Sequence, residues 1–163
     1  MDDEKMMRRL KSIGADKTML VDMYRLHVRS KLEICVPLWH SSLTKLEIRR
    51  IENVQKMAFA IIMGLNYKSY SSALAFLQLD KLEDRRKQLC YNFAVKCVKN
   101  PKHEHMFPKS LGPVRTRNSK MFHEQKCRTA HCYKSAIPYM TRLLNDANIW
   151  DTNYLDSCSC RSG

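Results

Sequence analysis

Apolar positions along most of this chain recur at three- and four-residue steps, the spacing of helices packed on one face. The clearest stretch is Leu43 to Gly64, LTKLEIRRIENVQKMAFAIIMG. Ile48, Ile51, Val54, Ala58, Ile61 and Ile62 form one apolar stripe. Thr44-Lys45-Leu46-Glu47 has the pattern of a capping box, in which the Thr hydroxyl accepts from a first-turn N–H and Glu47 reaches back. Gly64 falls where a left-handed stop belongs. Lys45, Arg49, Asn53 and Lys56 make a second stripe, so the helix is expected to have a core face and a basic face. A packed helix with a solvated outer side explains the same pattern.

The flanking segments read in the same way. Met1 to Lys11 is a short helical start, with acids leading and bases following as a helix dipole prefers. Asp2 and Asp3 fit first-turn acids there, not a catalytic aspartate pair. Asp16 can cap a helix from Lys17 to Cys35, with Leu20, Tyr24, Val28, Leu32 and Cys35 on one face. Pro37 is expected to end that helix, because the residue before a proline avoids helical angles. Trp39 reads as a core plug at the corner, and His27 as structural. Ser69 or Ser71 can cap a short helix containing Ala73, Leu74, Phe76, Leu77 and Leu79. Asp80 to Glu83 resembles a second capping box, opening a helix from Lys81 to about Lys99. Its inner stripe is Leu82, Leu89, Phe93 and Cys97, widened by Cys90 and Ala94; Arg85, Arg86, Lys87 and Lys96 give it a basic side.

Beyond Pro101 the texture changes. Lys102, Lys109, Arg115, Arg117, Lys120, Lys126, Arg128, Lys134 and Arg142 face only Glu104 and Glu124 as acids. Pro108, Gly112 and Pro113 interrupt any long helix. Val114 to Tyr133 is expected to be a basic loop or loose hairpin. Its Phe122 and Tyr133 lie between cations, an arrangement suited to phosphate contact with base stacking, or to a plain solvated connector. Ile137 to Trp150 is a last short helix, with Pro138 in its first turn and Tyr139, Leu143, Leu144 and Ala147 packing back. The expectation is a mainly α protein: a helical bundle over residues 1–100, a basic connector over 101–136, a short helix over 137–150 and a flexible tail over 151–163.

Charge narrows the function. The formal net charge is +13, from 29 Lys and Arg against 16 Asp and Glu, which points to a polyanionic partner such as nucleic acid. Seven cysteines, an odd number with no secretory signal before them, point to a reducing, intracellular compartment, nuclear or cytoplasmic. No apolar run is long enough for a membrane span.

Catalytic chemistry is hard to find. There is no Gly-rich phosphate loop, no nucleophile elbow and no His-Glu-x-x-His. His123, Cys127, His131 and Cys132, with Cys158 and Cys160 further on, have the residue types of a zinc site but no standard spacing. No metal and no cofactor is expected.

Several stretches, in order, resemble one family. They include Leu32-Glu33-x-Cys35-x-Pro37-x-Trp39-His40, Arg50-x-Glu52-x-Val54-Gln55-Lys56 and Tyr67-x3-Ser71-x-Ala73-Leu74. Leu82-Glu83-Asp84-Arg85-Arg86, Asn100-Pro101-Lys102, Cys127-Arg128-Thr129 and Tyr139-x-Thr141-Arg142-Leu143-Leu144-Asn145 follow. From about Arg8 to Asn145 the chain resembles the region after the polymerase core in reverse transcriptases of non-LTR (LINE-type, jockey-like) retrotransposons. The resemblance implies a helical thumb with the connector behind it, which grips a template–primer duplex. It also implies that the polymerising aspartates belong to a palm domain, which this sequence lacks, so no catalysis is expected of it. The palm of a reverse transcriptase is then a possible protein partner.

The residues expected to contact phosphate are Lys45, Arg49, Lys56, Arg85, Arg86, Lys87, Arg115, Arg117 and Lys120. Arg86 lies nearest the inner stripe and has Glu52 as an alternative partner. The competing function is a helical protein–protein module, or an inert remnant that binds no nucleic acid.

Overall fold

A computed structural model describes residues 2–110 and 120–147 as a mainly α-helical chain. Its helices are α1 (Asp2–Ser12), α2 (Lys17–Met23), α3 (Ser30–Glu33), α4 (Val36–Trp39), α5 (Lys45–Met63), α6 (Tyr70–Leu77), α7 (Leu82–Lys99), α8 (Ala130–Tyr133) and α9 (Ala136–Ala147). The chain divides into two compact units. The first is Met1–Val36 with Leu43–Gln88, and the second is Pro37–Ser42 with Leu89–Gly163. The division therefore falls within α7, whereas the sequence placed its boundary after that helix.

In the first unit the capping box forms. Thr44 Oγ1 accepts from the Glu47 N–H at 3.3 Å, and the Glu47 carboxylate accepts from the Thr44 N–H at 2.8 Å. Such a cap contributes about 1 kcal/mol. The stop also falls where expected. Gly64 has φ +56°, and a Cβ there would lie 2.6 Å from Lys11 Nζ. Lys11 is in place because its ammonium donates to the Ile61 carbonyl in the last turn of α5, where the helix dipole favours a cation.

The buried side of α5 is Gln55, Ala58, Phe59, Ile61 and Ile62, while Ile48, Ile51 and Val54 are only half-buried. The core face thus lies toward the C-terminal half of the helix and includes Phe59. Phe59 meets Tyr24 edge-on at 5.6 Å and stacks with Tyr70 at 5.9 Å. Around these rings cluster Met7, Leu20, Val28, Ala73, Leu77 and Leu79.

Gln55 is polar and buried because its carboxamide is satisfied. It donates to the Asp80 carbonyl at 3.0 Å and accepts from the Leu82 N–H at 3.2 Å. The N–H at the start of α7, which no helical carbonyl can take, is bonded by this side chain. Ser69 caps α6 reciprocally with Ser72.

The segment expected as one helix from Lys17 to Cys35 is helical but contains a π-helical turn, Tyr24–Arg29. It ends at Ile34, which is extended, and at Cys35, with φ +51°. The stop therefore precedes Pro37, and Pro37 lies within α4, close to its start, where a proline is tolerated.

In the second unit His40 is the buried aromatic at the corner after α4. It lies edge-on to Tyr139 of α9 at 5.6 Å, and Trp39 is only half-buried. The buried row of α7 is Leu82, Arg86, Cys90, Ala94 and Cys97, with Phe93 exposed and Leu89 half-buried. The inner stripe expected from the sequence is thus rotated by part of a turn.

Described residues of the connector are joined by backbone pairing. Lys109 and Phe122 form an antiparallel bridge, with Ser110 N–H on the Met121 carbonyl at 2.9 Å and His123 N–H on the Pro108 carbonyl at 2.9 Å. Phe107 and Phe122 are buried, as are Met140 and Leu144 of α9. Asn145 fastens the bridge by accepting from the Phe122 N–H at 3.0 Å and donating to the Phe122 carbonyl at 3.1 Å. Trp150 and the tail from residue 151 lie outside the described residues. Among those described, no helix is long and apolar enough to cross a membrane.

Candidate nucleic-acid interface

The basic face of α5 follows from where its helix starts. Because Thr44 fixes the first turn, Lys45 and Arg49 stand one above the other, both exposed. Arg50 is exposed on the adjoining row. The helix offers two carboxylates that could pair directly with these cations, and both are hydrogen-bonded to other groups, although Glu47 also lies within the field of Arg50. Glu47 is held by the Thr44 N–H and hydroxyl, each at 2.8 Å, and these bonds hold its carboxyl below the usual range. Glu52 accepts from the Tyr70 hydroxyl. Among the described residues Lys45, Arg49 and Arg50 enter no salt bridge.

Lys56 closes the stripe about 16 Å along the axis from Lys45. It is half-buried, with its ammonium 5.3 Å from the centre of the Tyr70 ring. That contact commits part of its charge to the ring. Burial, then the bond to Glu52, push the Tyr70 phenol well above its ordinary value of 10.0.

The remaining expected contacts separate. Arg85 is bound at 3.2 Å to Glu33, which also takes Arg29 at 2.7 Å. Arg86 is fully buried, so its guanidinium is inside the molecule and is not a surface phosphate contact. Lys87 lies 3.5 Å from Glu83 on the exposed side of α7. Lys120 donates to Glu124 at 2.6 Å, and this bond holds the Glu124 carboxyl below its usual range. Arg115 and Arg117 lie outside the described residues.

Of the two aromatics expected to stack on bases, Phe122 is buried and unavailable. Tyr133 is 54% exposed, with the Arg142 guanidinium 3.8 Å over its ring and bonded to its carbonyl at 2.8 Å.

Arg50 is the cation that the stripe reading missed. Its signal was the Arg49-Arg50 doublet, which puts adjacent rows of one helix under positive charge.

No group of three or more His, Cys, Asp or Glu among the described residues is arranged to hold a metal. Within the zinc-like series, the Cys132 thiol donates to the Cys127 sulfur at 3.3 Å. That contact and burial raise the Cys127 thiol. Cys158 and Cys160 lie outside the described residues. What the α5 face can do chemically is position phosphates by charge. The chain matches no protein-family model, no curated protein and no solved structure.

Proposed function

We propose that this chain is a non-catalytic nucleic-acid grip, related to the thumb region of non-LTR retrotransposon reverse transcriptases, which holds a duplex on the exposed face of α5. The observation that carries the reading is that, among the described residues, none of the cations on that face is tied into a salt bridge. Lys45, Arg49 and Arg50 stand on neighbouring rows of one helix while Glu47 and Glu52 are engaged elsewhere. A net charge of +13 draws such a face toward a polyanion. The ordered residue series quoted above supports the family.

Contacts of this kind go to the phosphate backbone. They set the position of a duplex and read no sequence. Polymerisation is assigned in this reading to a separate palm domain, whose surface is a candidate partner. Inside a reverse transcriptase the chain's task is to keep the template–primer in register.

The test is binding of the purified 163-residue chain to an RNA–DNA hybrid, duplex DNA and single-stranded RNA over a salt series. Three phosphate contacts predict a loss of affinity of roughly 40-fold between ~50 and ~200 mM salt. The Lys45→Ala, Arg49→Ala, Arg50→Ala triple variant is expected to weaken duplex binding and flatten that slope by up to about 0.9 per lost contact. Unchanged affinity in the triple variant removes the face from the interface. No binding even at low salt overturns the reading in favour of a helical protein-interaction module.

A further inference from the structure

Apart from the α5 face, the first unit contains a polar cavity of about 410 Å³, lined by Arg25, Arg29, Ser30, Glu33, Gln78, Leu79, Asp80 and Arg85. Its size lies within the range of small-ligand sites, about 300–1,000 Å³. Three guanidiniums line it against two carboxylates. One of those carboxylates is already shared: Glu33 Oε1 accepts from Arg29 Nε at 2.7 Å and from Arg85 Nε at 3.2 Å. The shared oxygen holds the two forks side by side. Each uses one of its five N–H groups on Glu33, and the others remain for a ligand. Arg25 adds a third fork, tied only loosely to Asp22 at 3.9 Å.

The backbone around the cavity is irregular at two points. Arg25 and Arg29 both belong to the π-helical turn, a form found mostly as single turns and often at functional sites. Gln78, on the wall, is in the left-handed conformation, with φ 51° and ψ 48°. Two guanidiniums from the π turn and one from α7 thus converge on one concavity, although they are far apart in sequence.

We infer that this pocket binds a phosphomonoester at the end of a nucleic-acid strand. Guanidinium forks pair with phosphate oxygens two at a time. A concave site with three forks suits a terminal group with three free oxygens better than a backbone diester, which presents two and continues on both sides. This inference rests on the nucleic-acid reading for the source of the phosphate. The site itself is separate from the α5 face in residues and in ligand group.

The test compares oligonucleotide duplexes that carry a 5′-phosphate or a 5′-hydroxyl and are otherwise identical, using the full chain. The phosphorylated duplex is expected to bind about tenfold more tightly, the effect of one well-placed charged hydrogen-bond set. In the Arg25→Gln, Arg29→Gln variant the difference should vanish while binding of the 5′-hydroxyl duplex stays at the wild-type level. Arg25→Gln alone leaves the Glu33 pairs intact, so a reduced preference there keeps the test independent of folding. Asp80→Asn removes a carboxylate from the wall and should widen the preference. The same variants leave the α5 salt slope unchanged, whereas the α5 triple variant lowers both affinities and keeps their ratio. Failure of the pocket and failure of the grip are therefore read separately.

A nucleoside 5′-monophosphate that competes with the 5′-phosphate duplex supports the site and marks the terminal nucleotide as the recognised unit. Equal affinity for the two duplexes overturns the inference. So does a phosphoserine peptide binding as tightly as the phosphorylated duplex, or competition by inorganic phosphate and sulfate alike.

Discussion

Gln55 in the first unit and Asn145 in the second each fasten a backbone segment with one carboxamide. Gln55 reaches across two peptide units, from the Asp80 carbonyl to the Leu82 N–H. It also accepts from the Tyr70 hydroxyl at 3.1 Å, an alternative to Glu52 for that one proton. Asn145 takes both polar groups of a single residue, Phe122. The first clasp sits in a polar network inside an apolar cluster and opens a long helix. The second holds an isolated bridge that has few other bonds. The same side-chain chemistry therefore sets a helix start in one unit and locates a loop end in the other, and the surroundings decide how far a loss would spread.

The comparison breaks most visibly at Gln55. Gln55→Leu strands the buried Leu82 N–H and unpairs the part-buried Asp80 carbonyl, and is expected to cost about 3 kcal/mol, read as a lower urea midpoint. A change under ~0.5 kcal/mol would mean that both groups find other partners. Asn145→Leu is expected to cost about 2 kcal/mol. Its loss should stay local: the Phe122 and Ser110 amides lose protection from hydrogen exchange while α5 amides keep theirs. If α5 amides also open, the two clasps are not independent.

Alkali sharpens the contrast. Burial raises the phenols of Tyr24 and Tyr70 above 10.0, so each stays protonated in the fold after it would ionise in the unfolded chain. The folded state then holds more protons, and stability present below about pH 10 falls as pH rises above it. The first unit should lose structure first in alkali, and Tyr70→Phe should make the decline shallower. An unchanged alkaline limb would remove Tyr70 from the account.

The smallest effect is acidic and belongs to the second unit. The Lys120 bond lowers the Glu124 carboxyl, so its contribution is present at neutral pH and lost as pH falls through that depressed value. Lys120→Ala should weaken this acid dependence, leaving the part due to Asn145 and Arg142, at a cost of no more than about 1 kcal/mol, because Lys120 is largely exposed and solvent screens the pair.

Helix α5 was legible because its signals are local. Thr44 and Glu47 are neighbours, Gly64 marks its own conformation, and Lys45 and Arg49 follow from the start point. The inner row of α7 was not legible, since Arg86 sits inside it and breaks the apolar period that would reveal it. Gln55 hides the α5 core face in the same way. The Arg85–Glu33 pair joins residues 52 positions apart, so only the tertiary fold could show that Arg85 is already engaged. The α5 part of the candidate interface was readable from periodicity. The anion pocket depends on a π turn, and no residue type in Tyr24 to Arg29 announces one.

That π turn makes chain length matter more than composition over this segment. Closing it to ordinary α-helical bonds with every residue kept would give an unbroken α-helix, which circular dichroism would hardly distinguish from the present one. It would also wind everything downstream by about 100° relative to Leu20. Glu33 would then turn away from Arg85, and Arg29 would turn with it. Substitutions along this stretch alter one side chain at a time, whereas closing the turn shifts the phase of everything after it, and only the loss of one residue would restore that phase.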